Sequence, residues 1–340
     1  MNPSSEERGP SSPPAVTAVV VSYNSARDLP ACLTSLEGQR GVSLEIHVVD
    51  NASSDGSAEL VRRDFPRVRL TANSTNVGFA RANNQVLGTG TPEFYALVNP
   101  DTILPPDALA ACVDCLRTSP SAGVAATRLV TPDGALQPSC HSFPGLTNLL
   151  GETLGLDRLL PWLRPLASLH MPWFRHDRVL AVDWIQGAFL VVRADVVRAV
   201  GPFDPEFFMY GEEMDWCRRI RDAGWSVVFL PDPPVVHAGG GSSDPVAGPM
   251  FVENLKGRVR FMTKHRGGAV AAAARAIIAL SVVLRFLWSE VRMLALRLIG
   301  RAPGAPLCRN QERFRGAIRW VLAGMPVAPR TAGRLEGRCF

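Results

Sequence analysis

Three acids crowd one turn of a predicted helix: Glu212, Glu213 and Asp215. A carboxylate beside a hydroxyl can take its proton as a new bond forms, which is the work of a general base. Acids in a first turn also complement the helix dipole, so position alone leaves both roles open. Glu212 and Glu213 leave a helix in different directions, and at most one of them faces a given reacting centre. Another acid, Asp101, closes Asn99-Pro100-Asp101 directly after an apolar run. There it can hold Mg2+ or Mn2+ against a diphosphate, although the same tripeptide also makes an ordinary turn. His237 follows a further apolar run and precedes Gly239-Gly240-Gly241. A lone histidine is more often structural than a ligand, and the glycines suit either a phosphate-binding backbone or a hinge. Cys112 and Cys115 form a single C-x-x-C on a predicted helix. With no second pair, they read as two thiols packed against a sheet.

The elements that must position these residues alternate in type. Strands are predicted at 16–23, 44–50, 68–72, 94–98 and 123–129, with helices at 29–39, 57–65, 79–87 and 107–118 between them. Continuous β-branched runs such as Val16–Tyr23 suit strands buried on both faces, and the rhythm predicts an α/β fold with a mostly parallel sheet flanked by helices. In such sheets ligands bind beyond the carboxyl ends of the strands. Tyr23-Asn24-Ser25, Asp50-Asn51 and Asn99-Pro100-Asp101 all fall there. No Gly-x-Gly-x-x-Gly follows the first strand, which disfavours a dinucleotide-binding dehydrogenase. Residues 138–182 are proline-rich and aromatic, and read as a long irregular loop, either a lid or a surface insertion. Regular structure resumes with a strand at 187–193 and helices at 195–200 and 212–223, the latter closed by Gly224. A strand at 226–230 is expected to break at Pro231-Asp232-Pro233-Pro234, leaving His237 in a loop.

The chain has 340 residues, 46% of them hydrophobic and 20% charged, enough for a packed core. Seven scattered cysteines are too few and too uneven for a disulfide scaffold and fit a reducing compartment. Residues 1–15 are rich in Pro and Ser, lack the apolar stretch of a secretory signal, and read as a disordered leader. The net charge of +5 hides an asymmetry: residues 1–250 carry 19 Lys and Arg against 27 Asp and Glu, residues 251–340 carry 17 against 4. A basic tail on an acidic body points to an anionic partner. Within it, 269–300 reads as one helix whose charges Arg275, Arg285, Glu290, Arg292 and Arg297 share an arc of about 160°. Leu280, Leu284, Leu287, Trp288, Val291, Leu294 and Leu298 fill the other side. No uncharged run reaches bilayer-spanning length, so a basic amphipathic helix lying on an anionic membrane surface is expected, with docking on its own domain, basic residues facing water, as the alternative. Nucleic acid is disfavoured, because apolar residues fill half the helix. The expected organisation is a leader over 1–15, a catalytic domain over 16–250 and a membrane-associating tail over 251–340.

Taken in order, these segments resemble one family. Val19–Asn24, Val48–Ser57 and Asn76–Asn84 look like the donor half of a glycosyltransferase family 2 enzyme, with Asn99-Pro100-Asp101-Thr102 in place of its Asp-x-Asp motif. Gly187–Phe189, Phe203-Asp204, Phe207–Asp215 and Val236-His237 look like its acceptor half. Within the family the whole most resembles bacterial rhamnosyltransferases that build envelope polysaccharide on a lipid carrier. The resemblance implies a GT-A fold, a nucleoside-diphosphate sugar donor such as dTDP-rhamnose, and Mg2+ or Mn2+. It implies that Asp50 accepts a hydrogen bond from a pyrimidine, that Ser22, Tyr23 and Asn24 flank the nucleoside, and that Arg81 lies near the ribose and diphosphate, with Asn51, Gly78 and Asn99 in the same segments. Asp101 would bind the metal, with His237 as a further ligand or phosphate contact. Glu213 stands where the family usually has the aspartate base, which leaves Glu212 and Asp215 as alternatives. One base without a covalent nucleophile implies single displacement with inversion. The acceptor would be a sugar on a polyprenyl diphosphate, which puts a peripheral enzyme at the cytoplasmic face of the bacterial inner membrane. A nucleotidyltransferase, the rival use of a nucleotide sugar, needs a Gly-rich basic loop after the first strand that is not in this sequence.

Overall fold

The structure is a computed structural model describing residues 15–239, 247–302 and 304–327. The first half runs β1 (Ala15–Ser22), α1 (Leu29–Glu37), β2 (Ser43–Asp50), α2 (Ser57–Asp64), β3 (Arg69–Ala72), α3 (Phe79–Asn84), β4 (Phe94–Val98), β5 (Thr102–Ile103), α4 (Ala108–Thr118) and β6 (Ala122–Val130). Then come β7 (Leu136–Gln137), β8 (Cys140–His141), α5 (Leu146–Thr153), α6 (Leu156–Leu159), α7 (Arg164–Ala167), β9 (Leu180–Val182), β10 (Trp184–Ile185) and β11 (Phe189–Arg193). The last part is α8 (Ala194–Val200), α9 (Glu212–Asp222), β12 (Ser226–His237), α10 (Ala247–Arg266), α11 (Gly268–Leu298) and α12 (Ala305–Leu322).

The main sheet has the order β3-β2-β1-β4-β11-β6-β12-β5. β3, β2, β1 and β4 are parallel, β11 runs against its neighbours β4 and β6, and β12 returns parallel to β6. Every residue of β4 is buried, as a strand covered on both faces requires. Alternate residues of β1 serve different cores. Val16, Ala18 and Val20 meet Leu29, Leu33 and Leu36 of α1 and Cys112 of α4, while Val19 and Val21 face the layer built from α3, α9 and residues 140–185. The α/β fold with its mostly parallel sheet is as expected, and Cys112 is an inert core thiol, its pKa raised by burial.

Three features depart from the sequence reading. β12 does not stop at its prolines: residues 231–234 bulge opposite Arg128 alone, and pairing with β6 resumes at Val235↔Leu129. Prolines lack the N–H a ladder needs but fit such a bulge, and an Arg128–Asp232 ion pair at 3.1 Å bridges it. His237 is therefore not in a loop but ends the strand, opposite Thr102 of β5. The stretch 138–182 is not irregular either, since it holds three short helices and strands that pair with the body.

The third departure is the orientation of α11. It packs on α5, α10 and α12 through Ala271, Ala274, Ile278, Val282, Ser289 and Met293, the side that also carries its charges. Arg275 donates to the carbonyls of Gly324 and Met325, Arg285 reaches Glu152, and Glu290 accepts from Gln311. The seven apolar residues of the opposite side, from Leu280 to Leu298, are all exposed. By length and composition alone, α11 would also pass for a membrane-crossing helix. Residues 1–14 of the expected leader and Gly240-Gly241 lie outside the described residues, while Ala15 already opens β1.

Candidate active site

The sheet register gathers the predicted residues along one edge. Ser22 ends β1 directly opposite Asp50, the last residue of β2, and the Asn51 amide donates to the Ser22 carbonyl at 2.8 Å. Both side chains are buried, and Ser22 Oγ and Asp50 Oδ1 have no hydrogen-bond partner among the described residues. Orphaned buried polar atoms are costly, and a ligand that donates to them removes the cost. The other Asp50 oxygen accepts the Ser53 amide at 3.0 Å, which fixes the carboxylate. Asn24 takes positive φ and accepts the Ser54 amide, folding the Tyr23-Asn24 edge over this pair.

Gly78 joins the two halves. Its φ is +88°, and a Cβ there would lie 2.6 Å from the Phe208 carbonyl oxygen. Asn51 donates to the Gly78 carbonyl, and Arg81, exposed at the same seam, donates Nε–H to the Pro205 carbonyl at 3.1 Å.

Asp101 and His237 converge because β5 pairs with the end of β12. Asp101 Oδ1 lies 3.3 Å from His237 Nε2, and Oδ2 accepts the Gly239 amide at 3.1 Å. Burial pushes the Asp101 carboxyl up, but His237 outweighs it and holds the pKa below the ordinary value. His237 Nδ1 donates to Gln137 Oε1 at 2.9 Å, which turns Nε2 toward Asp101. Gln137, on the short β7, was not singled out in the sequence; only its pairing with Leu129 brings it here. Among the described residues no three His, Cys, Asp or Glu side chains cluster to hold a metal; Asp101 and His237, in contact with each other, offer one carboxylate and one imidazole, and a divalent cation here would take its other ligands from diphosphate and water.

Glu212 and Glu213 open α9 and are both buried. The Glu213 carboxylate accepts the Gly211 amide at 3.2 Å, and its side chain lies against Gly187, where an added Cβ would meet Glu213 Cδ at 4.0 Å. The next residue, Ala188, accepts the Asn99 amide at 2.9 Å, so one backbone segment touches both Glu213 and the metal motif. Burial raises both glutamates, and Glu213 further raises Glu212, whose Oε2 has no partner. Two adjacent buried carboxyls do not ionise together, and the Gly211 amide favours Glu213 as the charged one. Asp215 is different. His265 lies 2.7 Å and Lys264 2.9 Å from its Oδ1, and Arg219 lies 3.0 Å from Oδ2. Burial pushes this carboxyl up, but hydrogen bonds from His265 and Lys264 and the charges of Arg219 and Lys264 hold it down at about 2.

Residues 17–179 match the model of glycosyl transferase family 2. The chain carries a glycosyl transferase family 2 domain. It is 29% identical over 237 residues to an N-acetylglucosaminyl-diphospho-decaprenol L-rhamnosyltransferase of Mycobacterium tuberculosis, an alignment covering 64% of this chain and 74% of that one. It is also 34% identical over 86 residues to rhamnosyltransferase WbbL of Escherichia coli, covering 25% of this chain and 32% of the relative. A mannosyltransferase from Pyrobaculum calidifontis, solved with GDP-Man and Mn2+, superposes with a TM-score of 0.54 at 18% identity, over 92% of this chain and 87% of that one. That likeness establishes the GT-A type of fold. The donor-half segments lie inside the matched region, while Glu213 and His237 lie beyond it.

Proposed function

We propose that this chain is an inverting glycosyltransferase that moves a sugar, L-rhamnose from dTDP-rhamnose by preference, onto a hydroxyl of a lipid-diphosphate-linked sugar. The observation that carries the reading is the Gly187–Ala188 segment, which packs against the Glu213 side chain on one residue and accepts the Asn99 amide on the next. Asp50 Oδ1 and Ser22 Oγ accept donors from the base, and Asn24 covers the nucleoside. Asp101 and His237 would hold Mg2+ or Mn2+, which supplies charge to the departing diphosphate. Glu213 takes the acceptor proton as the hydroxyl attacks the anomeric carbon, with the leaving group on the opposite face. Glu212 stays protonated beside it. Asp215 serves as the anchor of α10 and not as the base. The sugar preference draws support from the relatives' names, and inversion follows from a single displacement. The enzyme works at the cytoplasmic membrane face, where exposed Leu284, Leu287 and Trp288 enter the interface.

The test incubates purified protein with a panel of nucleotide sugars, Mg2+ or Mn2+, and a short-chain lipid-diphosphate sugar. Fastest release of nucleoside diphosphate from dTDP-rhamnose is expected; preference for another donor overturns the sugar, and no release from any donor overturns the class.

A further inference from the structure

Helix α10 links the Gly211 turn, through Arg258 and Glu152, to one wall of a groove apart from the sheet-edge site. A Cβ on Gly257 would lie 2.2 Å from the Tyr210 carbonyl oxygen, so α10 is seated directly on the turn that presents Glu213. The next residue, Arg258, bonds Glu152 Oε2 at 2.7 Å. Glu152 also lines an open groove of about 650 Å³ between α5–α6 and α11–α12. That volume suits a small ligand or head group.

The walls of the groove are two-natured. Leu284, Trp288 and Phe314 are apolar, whereas Arg158 and Arg292 are cationic. Glu152 is already satisfied by Arg258 and Arg285, which leaves Asp157 as the other acid of the wall. Arg158 and Arg292 have no ion-pair partner among the described residues. Unpaired guanidinium groups match phosphate oxygens in both charge and fork geometry. From the groove the apolar side of α11 continues through exposed Leu287, Val291 and Leu294. Cationic head site and apolar runway together fit an anionic amphiphile.

We propose that this groove holds the diphosphate of a prenyl-diphosphate-linked acceptor between Arg158 and Arg292, with the hydrocarbon leaving along Leu284, Leu287 and Val291. The choice of a prenyl diphosphate over a bulk phospholipid rests on the transferase reading and on the chain of contacts from the groove wall through Glu152, Arg258 and Gly257 to the Gly211 turn. The two guanidiniums bind and orient; they take no part in bond making.

Farnesyl diphosphate is the probe, titrated below its micelle concentration into the full chain by calorimetry. Binding is expected, weakened about tenfold or more by R158A combined with R292A, the loss of at least one charge-assisted contact. Trp288→Ser should weaken it as well, while dTDP binding and Tm stay unchanged in every variant. Pyrophosphate and farnesol should each bind more weakly than farnesyl diphosphate, and soluble short-chain phosphatidylglycerol, kept below its micelle concentration, should not displace it. The proposal is overturned by no binding to the wild type, by unchanged affinity in the double variant, by equal affinity for pyrophosphate or farnesol, or by displacement with phosphatidylglycerol. The readout needs no donor sugar. Arginine-dependent binding without any transfer would therefore count against the transferase reading alone, and normal transfer with an unchanged acceptor KM in the double variant would count against the groove alone.

Discussion

At the scale of single residues, the account turns on two neighbouring carboxyls with different tasks. Glu213 accepts the Gly211 amide and Glu212 has an orphaned oxygen, so the base is the one whose charged form is held. Glu213→Gln keeps the shape and removes the basicity, and should cut kcat by about 10²–10⁴ with no loss of secondary structure by circular dichroism. Burial raises the Glu213 pKa, and the base acts when deprotonated. Activity is therefore lost as pH falls through a value above the usual ~4.3 for glutamate; a pH–rate limb at or below that value would contradict the assignment. The sign for stability is the reverse. A carboxyl raised on folding contributes fully below its unfolded pKa and loses that contribution as pH rises through its folded one. Glu212→Gln should then raise Tm at neutral pH, in a thermal melt, while costing far less activity than Glu213→Gln. Asp50→Asn should raise the Kd for the free nucleoside diphosphate and leave Tm within a few degrees.

At the scale of elements, α9 is strapped to α10 by a single buried acid. Asp215 holds His265 and Lys264 of α10 and Arg219 of its own helix. Asp215→Asn leaves these cations short of a partner and should cost about 3 kcal/mol in denaturant unfolding, the range for breaking a buried pair from one side. Its pKa, lowered from 3.8 to about 2, places the acid limb: this contribution is present above 3.8 and is lost as pH falls toward 2. The strands β1, β2 and β4 were legible in the sequence because buried parallel strands are continuous apolar runs, and the polar residues at their ends mark the site. β12 was misread because proline is a breaker by propensity, and only the partner strand reveals a bulge. Gln137 and Gly257 carry no local signal at all; their roles come from contacts with residues about a hundred and about fifty positions away. Asp215 was grouped with the glutamates because spacing shows a shared turn but not the cations arriving from α10.

At the scale of the molecule, α11 docks with its charged side toward α5, α10 and α12 and its leucines outward. Such a contiguous exposed apolar strip marks an interaction surface. The heptad-free amphipathic pattern was legible in the sequence, but the side that would dock was not, because both the charges and the small alanines lie on it. Replacing Leu284, Leu287 and Trp288 together by serine should abolish flotation with anionic vesicles without lowering Tm; undiminished flotation would remove α11 from the membrane contact. The central claim is that Glu213 and Asp101 act on one substrate at one sheet edge. Its most direct test is nucleoside diphosphate release, with donor, divalent cation and lipid-linked acceptor present, by the wild type, Asp101→Ala and Glu213→Gln. The account predicts turnover by the wild type and a loss of about a hundredfold or more in each variant; near-normal release by both variants would contradict it.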